Sequence, residues 1–214
     1  MSIGLKSDSS GTSGSIVING SDKVVVTSAG NVTAGTFTGA VVGAVTGNVT
    51  GNVTGTLTAG GSLTSGTAVA STGGTAIDFT SIPSWAKRIT VMFGSTAIST
   101  SDIPMIRLGY GGGTFSTSGY GGTAQDATTS QQLSSGILLG VDGSSGYLRS
   151  GFLTLSLLTA NNWTFNGIIG HTSDVRVPRV AGNVTIGGTL DRVRITSNSA
   201  GTFTGGTVNI MYEG

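Results

Sequence analysis

G-T-F-T, G-A-V-V, G-A-V-T, G-N-V-T, G-N-V-T, G-T-L-T: from Gly35 to Thr58 one four-residue unit recurs six times. Gly opens every unit. The third position is always apolar: Phe37, Val41, Val45, Val49, Val53 and Leu57. The fourth is Thr except at Val42, and a stray copy, G-N-V-T at Gly30–Thr33, is set one residue out of phase by Ala34. Collagen needs Gly at every third position. A helix mixes spacings of three and four, and Gly with β-branched residues makes a poor one. In an extended chain, four is a multiple of the two-residue alternation. One face then carries Gly and apolar residues in turn, and the other carries Thr, Asn and Ala.

A lone strand of this kind has an apolar stripe one side chain wide and two unpaired edges. Three identical chains around one axis bury the stripe, and Gly lets the backbones approach. The repeat therefore predicts the shaft of a homotrimeric fibre, with the six apolar residues on its axis. Fully extended it spans about 80 Å at roughly 3.3 Å per residue.

The composition sets the limits around this shaft. The chain has 214 residues, 38 of them Gly, no Cys and 9% charged residues. Disordered chains are highly charged and poor in β-branched residues; this one is rich in Val, Ile and Thr. A net charge of +1 gives no argument for nucleic acid or an acidic membrane surface. No charge falls in the 54 residues between Lys23 and Asp78. The N-terminus lacks an apolar core of signal-peptide length, and no apolar run is long enough for membrane insertion. Synthesis in a cytoplasm without export is expected. The N-V-T and N-W-T triplets at Asn31, Asn48, Asn52, Asn162 and Asn183 then read as repeat or strand sequence, not glycosylation acceptors.

Three regions follow. Residues 1–34 form a head, with Ser15–Asn19 and Lys23–Thr27 predicted as a hairpin around Gly20–Asp22. It either caps the shaft or anchors the fibre to a larger assembly. Residues 35–74 are the shaft and, from Ala59 to Gly74, a Gly/Ser/Thr linker. Residues 75–214 carry many short alternating strands and no helix signal, which predicts an all-β sandwich of jelly-roll type. Its strands are expected at Ala76–Phe79, Lys87–Phe93, Ile106–Gly109, Ser135–Val141, Tyr147–Leu158, Trp163–Gly170, Ser173–Val177, Arg192–Thr196 and Gly206–Tyr212. Ile89, Val91 and Phe93 share one face, as do Val208, Ile210 and Tyr212. Residues 109–135 hold few large apolar side chains and read as a long loop.

The segment F-T-S-I-P-S-W-A-K-R-I-T-V-M-F at Phe79–Phe93 resembles the opening of a domain recurrent in fibre proteins of tailed bacteriophages. The segment from Leu190 to Glu213 is similar to that domain's end, and Gly151–Leu155 and Trp163–Gly167 fit its middle. The resemblance covers about two thirds of the chain. It implies a virion structural protein, usually a homotrimer, with the C-terminal β domain as a distal knob. The attachment point of so short a head is left open among tail, baseplate and capsid.

No catalytic constellation stands out. Polysaccharide hydrolysis needs two carboxylates at a controlled separation, and the acids form no close pair in sequence. His171 is the only His; without Cys a protein zinc site is not expected, and a loop His bonded locally is the plainer reading. Tyr110–Gly113 lacks the Lys-Ser/Thr of a phosphate loop. No enzyme, cofactor or metal is expected. Two functions remain. In one, the knob binds a host-surface glycan or protein through Tyr110, Phe115, Tyr120, Arg176 and Arg179, since exposed aromatics and Arg are favoured anchors. In the other, the protein is a capsid-bound head fibre with a structural role. The aromatics can equally fill the core, with the two Arg merely solvating a strand. The expected partners are two further copies and, through residues 1–34, other virion proteins.

Overall fold

The computed structural model describes residues 3–7, 14–18, 63–199 and 201–214. The six predicted axis residues, from Phe37 to Leu57, and the Lys23–Thr27 strand lie outside the described residues. The chain divides into two units, Met1–Val53 and Thr54–Gly214. In the first, β1 (Ile3–Ser7) pairs antiparallel with β2 (Gly14–Ile18). The predicted strand at Ser15–Asn19 is thus present, but its partner precedes it in sequence.

The second unit is all-β among its described residues, with antiparallel strands in two sheets. Its first strands are β3 (Leu63–Ser65), β4 (Val69–Thr72), β5 (Ala76–Phe79), β6 (Arg88–Ile98) and β7 (Pro104–Tyr110). The short β8 (Thr114–Phe115), β9 (Tyr120–Gln125), β10 (Ser130–Gln132) and β11 (Ile137–Leu138) follow. The long strands β12 (Arg149–Thr159), β13 (Asn162–His171), β14 (Arg179–Thr185), β15 (Leu190–Ser197) and β16 (Phe203–Glu213) complete the unit. The larger sheet runs β10-β9-β14-β13-β12-β6-β16-β3, with β4 also on β16; the smaller runs β11-β7-β15-β5, with β8 on β7.

The alternation read from sequence locates the core. Ile89, Val91 and Phe93 of β6, Leu153 and Leu155 of β12, and Val208 and Ile210 of β16 are buried, as are Ile106, Leu108, Val193 and Ile195 of the smaller sheet. All belong to one cluster. A sheet with one apolar face buries it against another such face, and the result is a sandwich-like core.

Four local expectations need correction. The segment 59–74, read as a linker, contributes β3 and β4, which extend the sheet along β16. The supposed loop 109–135 supplies β8, β9 and β10. In Y-G-G-T-A-Q the inward residues are Tyr120 and Ala124, so the apolar signal is small. Gly at 121, 122 and 182 lets β9 and β14 come close: a Cβ on Gly182 would meet the Phe165 ring at 2.8 Å and the Gly122 Cα at 2.9 Å. Ser173–Val177 is a connection, and the next strand, β14, begins at Arg179. Of Ser135–Val141 only Ile137–Leu138 is strand.

Candidate functional site

Inward parity along β12 and β13 does not end with the apolar core. Arg149 occupies the same face as Leu153 and Leu155, and His171 the same face as Phe165 and Ile169. The antiparallel register makes Arg149 and His171 direct cross-strand partners. Both are buried, Arg149 completely. Tyr147 stacks on the His171 ring with centroids 4.6 Å apart, and the Arg149 and Arg176 guanidinium groups lie 5.7 and 5.8 Å from the Tyr147 ring. Nη1 of Arg149 donates to the Tyr147 carbonyl at 3.3 Å. Its Nε and Nη2, and both ring nitrogens of His171, have no partner among the described residues.

Burial disfavours charge here. It lowers the Arg149 pKa to about 10, although the Asp142 carboxylate pulls upward. Burial, then the Arg149 charge, lowers that of His171. His171 is therefore not the locally bonded loop residue expected from sequence. It ends β13 as an enclosed imidazole whose burial favours the neutral form.

Above this cluster, Arg176 pins three loops together. It donates to Asp142 in the β11–β12 connection, meets Asp174 of its own loop at 3.1 Å, and lies 3.7 Å from Asp126 in the β9–β10 turn. Asp126 also caps its turn by accepting from the Thr128 and Thr129 amides at 2.9 and 2.7 Å. Those amide bonds hold the Asp126 carboxyl below the usual range. The pin holds the 172–178 connection beside the 126–129 turn, and the gap between them is a groove of about 430 Å³. Thr128, Val175, Val177, Gln125 and Arg179 line it together with Arg176. A second depression of about 330 Å³ continues from Gln125 and Arg179 over Thr123 and Ala181.

The five residues singled out in the sequence fall in three places. Arg176 and Arg179 share the groove. Arg176 has spent its charge on carboxylates, whereas exposed Arg179 donates to the Gln125 side-chain carbonyl at 3.2 Å and has no carboxylate partner among the described residues. Val175 beside it is fully exposed. Tyr120 is a core residue, 3% exposed; its hydroxyl accepts from the Leu108 amide at 2.8 Å and donates to the Ser116 carbonyl at 3.3 Å. Burial raises its pKa to about 12. Tyr110 and Phe115 belong to the smaller sheet. Tyr110 lies half-buried over Gly187 and Gly188. Phe115 carries the Arg194 guanidinium 4.1 Å from its centroid, and Arg194 is held by two 2.7 Å bonds to Asp78.

Sequence reading missed Val175, Val177, Gln125 and Thr128 as groove residues, and Arg149, His171 and Asp142 as its support. Strand parity alone could have placed Arg149 and His171 inward. No family model, curated protein or solved structure matches the chain.

Proposed function

We propose that this protein is a non-enzymatic fibre of a tailed-bacteriophage virion, a homotrimer whose C-terminal sandwich is a distal knob that contacts the host-cell surface. The observation that carries the contact role is the groove at Arg179. A cation with no carboxylate partner among the described residues, the amide it bonds, a hydroxyl and two exposed Val side chains converge there on loops braced from behind by Arg176. Ligand sites combine apolar walls with a few fixed polar groups in this way, and a host glycan or protein is the partner class. The trimer rests on the Gly35–Thr58 repeat, whose apolar stripe, one side chain wide, three copies around one axis would bury. Residues 1–34 are the attachment to other virion proteins.

The pairing order supports a jelly-roll winding for the knob. β6 pairs with β16, β7 with β15, β9 with β14 and β12 with β13, first with last and inward. A chain doubled back on itself and then rolled gives such nesting.

The test uses antibodies against residues 75–214 on intact virions, followed by an adsorption assay with purified full-length chain as competitor. Labelling at the tail and blocked adsorption are expected. Labelling at capsid symmetry positions with unaffected adsorption would replace this reading with a structural head fibre, and an unlabelled virion would remove both.

A further inference from the structure

Arg179 stands where three surface features of the larger sheet meet. One is the groove of about 430 Å³ between the 126–129 turn and the 172–178 connection, and another is the depression of about 330 Å³ that runs over Thr123 and Ala181. Both volumes fall in the range of about 300–1,000 Å³ usual for ligand clefts. The third lies across the strands, where register sets Ile168 of β13 opposite Arg179, and Phe152 of β12 opposite Ile168. Ile168 and Phe152 are 61% and 58% exposed. An isolated exposed apolar residue needs no explanation, but an aromatic and a β-branched residue paired beside a cation form an apolar shelf.

Among the described residues, the charge exposed at this surface has one sign. Arg179 donates through Nη2 to the Gln125 side-chain carbonyl at 3.2 Å, and no carboxylate lies against it. Asp126, the one acid lining either depression, keeps its side chain 3% exposed and accepts from the amides of its own turn. Asp142 and Asp174 are held by Arg176 and line neither depression. A guanidinium is always charged, and its planar fork fits a carboxylate with two parallel bonds. Around it the surface offers the hydroxyls of Thr123 and Thr128 and the Gln125 amide. Sugar rings carry hydroxyls at their rims and C–H groups on their faces, and a sugar acid adds the carboxylate. An extended acidic peptide fits less well. Strands β9, β14, β13 and β12 are each paired on both sides, so they offer no ladder bonds to a peptide main chain.

We infer that the surface around Arg179 takes an acidic oligosaccharide. Arg179 binds the carboxylate of one sugar, Gln125, Thr123 and Thr128 bind hydroxyls beside it, and Ile168 and Phe152 take the apolar face of a further ring. The inference rests on the host-contact reading of the same groove and narrows its partner from a glycan or protein to a sugar acid. Phe152 lies two strand spacings from Arg179, about 10 Å. That is beyond the reach of one monosaccharide held at Arg179, and a chain of linked sugars spans it.

An array of defined oligosaccharides, probed with the purified full-length chain, tests it. The array carries uronic acid, sialylated, phosphorylated and neutral sugars, as monomers and as tetramers, together with a hexaglutamate peptide. Carboxylated tetramers are expected to bind, less tightly as salt is raised. Arg179→Gln is expected to weaken them at least about tenfold. Phe152→Ala should weaken the tetramers several-fold and leave binding of the monomers unchanged. Both side chains are exposed, so an unchanged circular dichroism spectrum and urea midpoint show that the fold survives. Equal binding of neutral or phosphorylated sugars, or binding that ignores Arg179→Gln, would overturn the sugar acid. Capture by hexaglutamate alone would overturn it too and make the partner an acidic protein. If no probe binds while the chain still blocks adsorption to host cells, the sugar acid falls and the contact reading stands; if it blocks nothing, both fall.

Discussion

Replacing Tyr120 with Phe separates the two roles that an aromatic in a Gly-rich segment can take. The ring is buried and stays so in the variant. Only the hydroxyl is lost, and with it the acceptor for the Leu108 amide at 2.8 Å and the donor to the Ser116 carbonyl at 3.3 Å. Leu108 is 0% exposed, so its amide is left without water or another acceptor. A buried orphaned donor costs about 1–3 kcal/mol, and the weaker Ser116 bond adds less than about 1 kcal/mol. The expected loss is about 2 kcal/mol, or about 4–8 °C in Tm for a domain of this size. Urea unfolding of the full chain at fixed concentration measures it, with the slope unchanged. Groove and assembly should be unaffected, because the hydroxyl reaches neither. A loss below about 0.5 kcal/mol, or a loss of host-surface binding with stability intact, would refute the assignment of Tyr120 to the core.

Other perturbations probe the supports of the groove and the strands beneath it. Gly182→Val forces a side chain against the Phe165 ring and the Gly122 backbone; overpacking should cost about 1–3 kcal/mol or more, and an unchanged urea midpoint would contradict the close approach of β9 and β14. Arg176→Met removes the pin. Asp142 and Asp174 are partly solvated, and buried Asp126 lies 3.7 Å away and keeps its Thr128 and Thr129 amides, so the global loss should stay within about 1 kcal/mol; amide hydrogen exchange at 126–129 and 172–178 should accelerate, and unchanged exchange would show that the loops hold themselves. His171 has a folded-state pKa below its unfolded value of about 6.5. The unfolded chain therefore takes up a proton that the folded chain refuses, and stability falls as pH drops through about 6.5. His171→Gln, which removes the only His, should flatten the urea midpoint between pH 7 and pH 5; a slope that persists would place the titration elsewhere. Asp126 acts lower. Its depressed pKa gives stability that is present above about pH 3.9 and lost only as pH falls through the folded value.

Strand parity explains how much of the fold was legible. Ile89, Val91 and Phe93, and Val208 with Ile210, announce their faces by alternation, and the structure buries them. β9 and β14 give almost no such signal, because their inward sites include Gly122 and Gly182, and a glycine's contribution is the room it leaves for a neighbour. The groove was half legible. Arg176 and Arg179 were singled out as a pair, but in sequence they look alike. Asp142 and Asp126 lie 34 and 50 positions from Arg176, and only the folding of three loops to one end spends one charge and leaves the other.

The sequence by itself determined the all-β character, the apolar alternation of the long strands and the four-residue period at Gly35–Thr58, because each is a local pattern that the two-residue pleat converts directly into faces. Tertiary structure decided which strands pair, that Tyr120 fills the core, that Arg149 meets His171, and that Phe152 stands beside Ile168 on an open face. Those outcomes depend on register between segments distant in the chain. Register is set by the fit of whole sheets and the loops that join them, which no single stretch encodes.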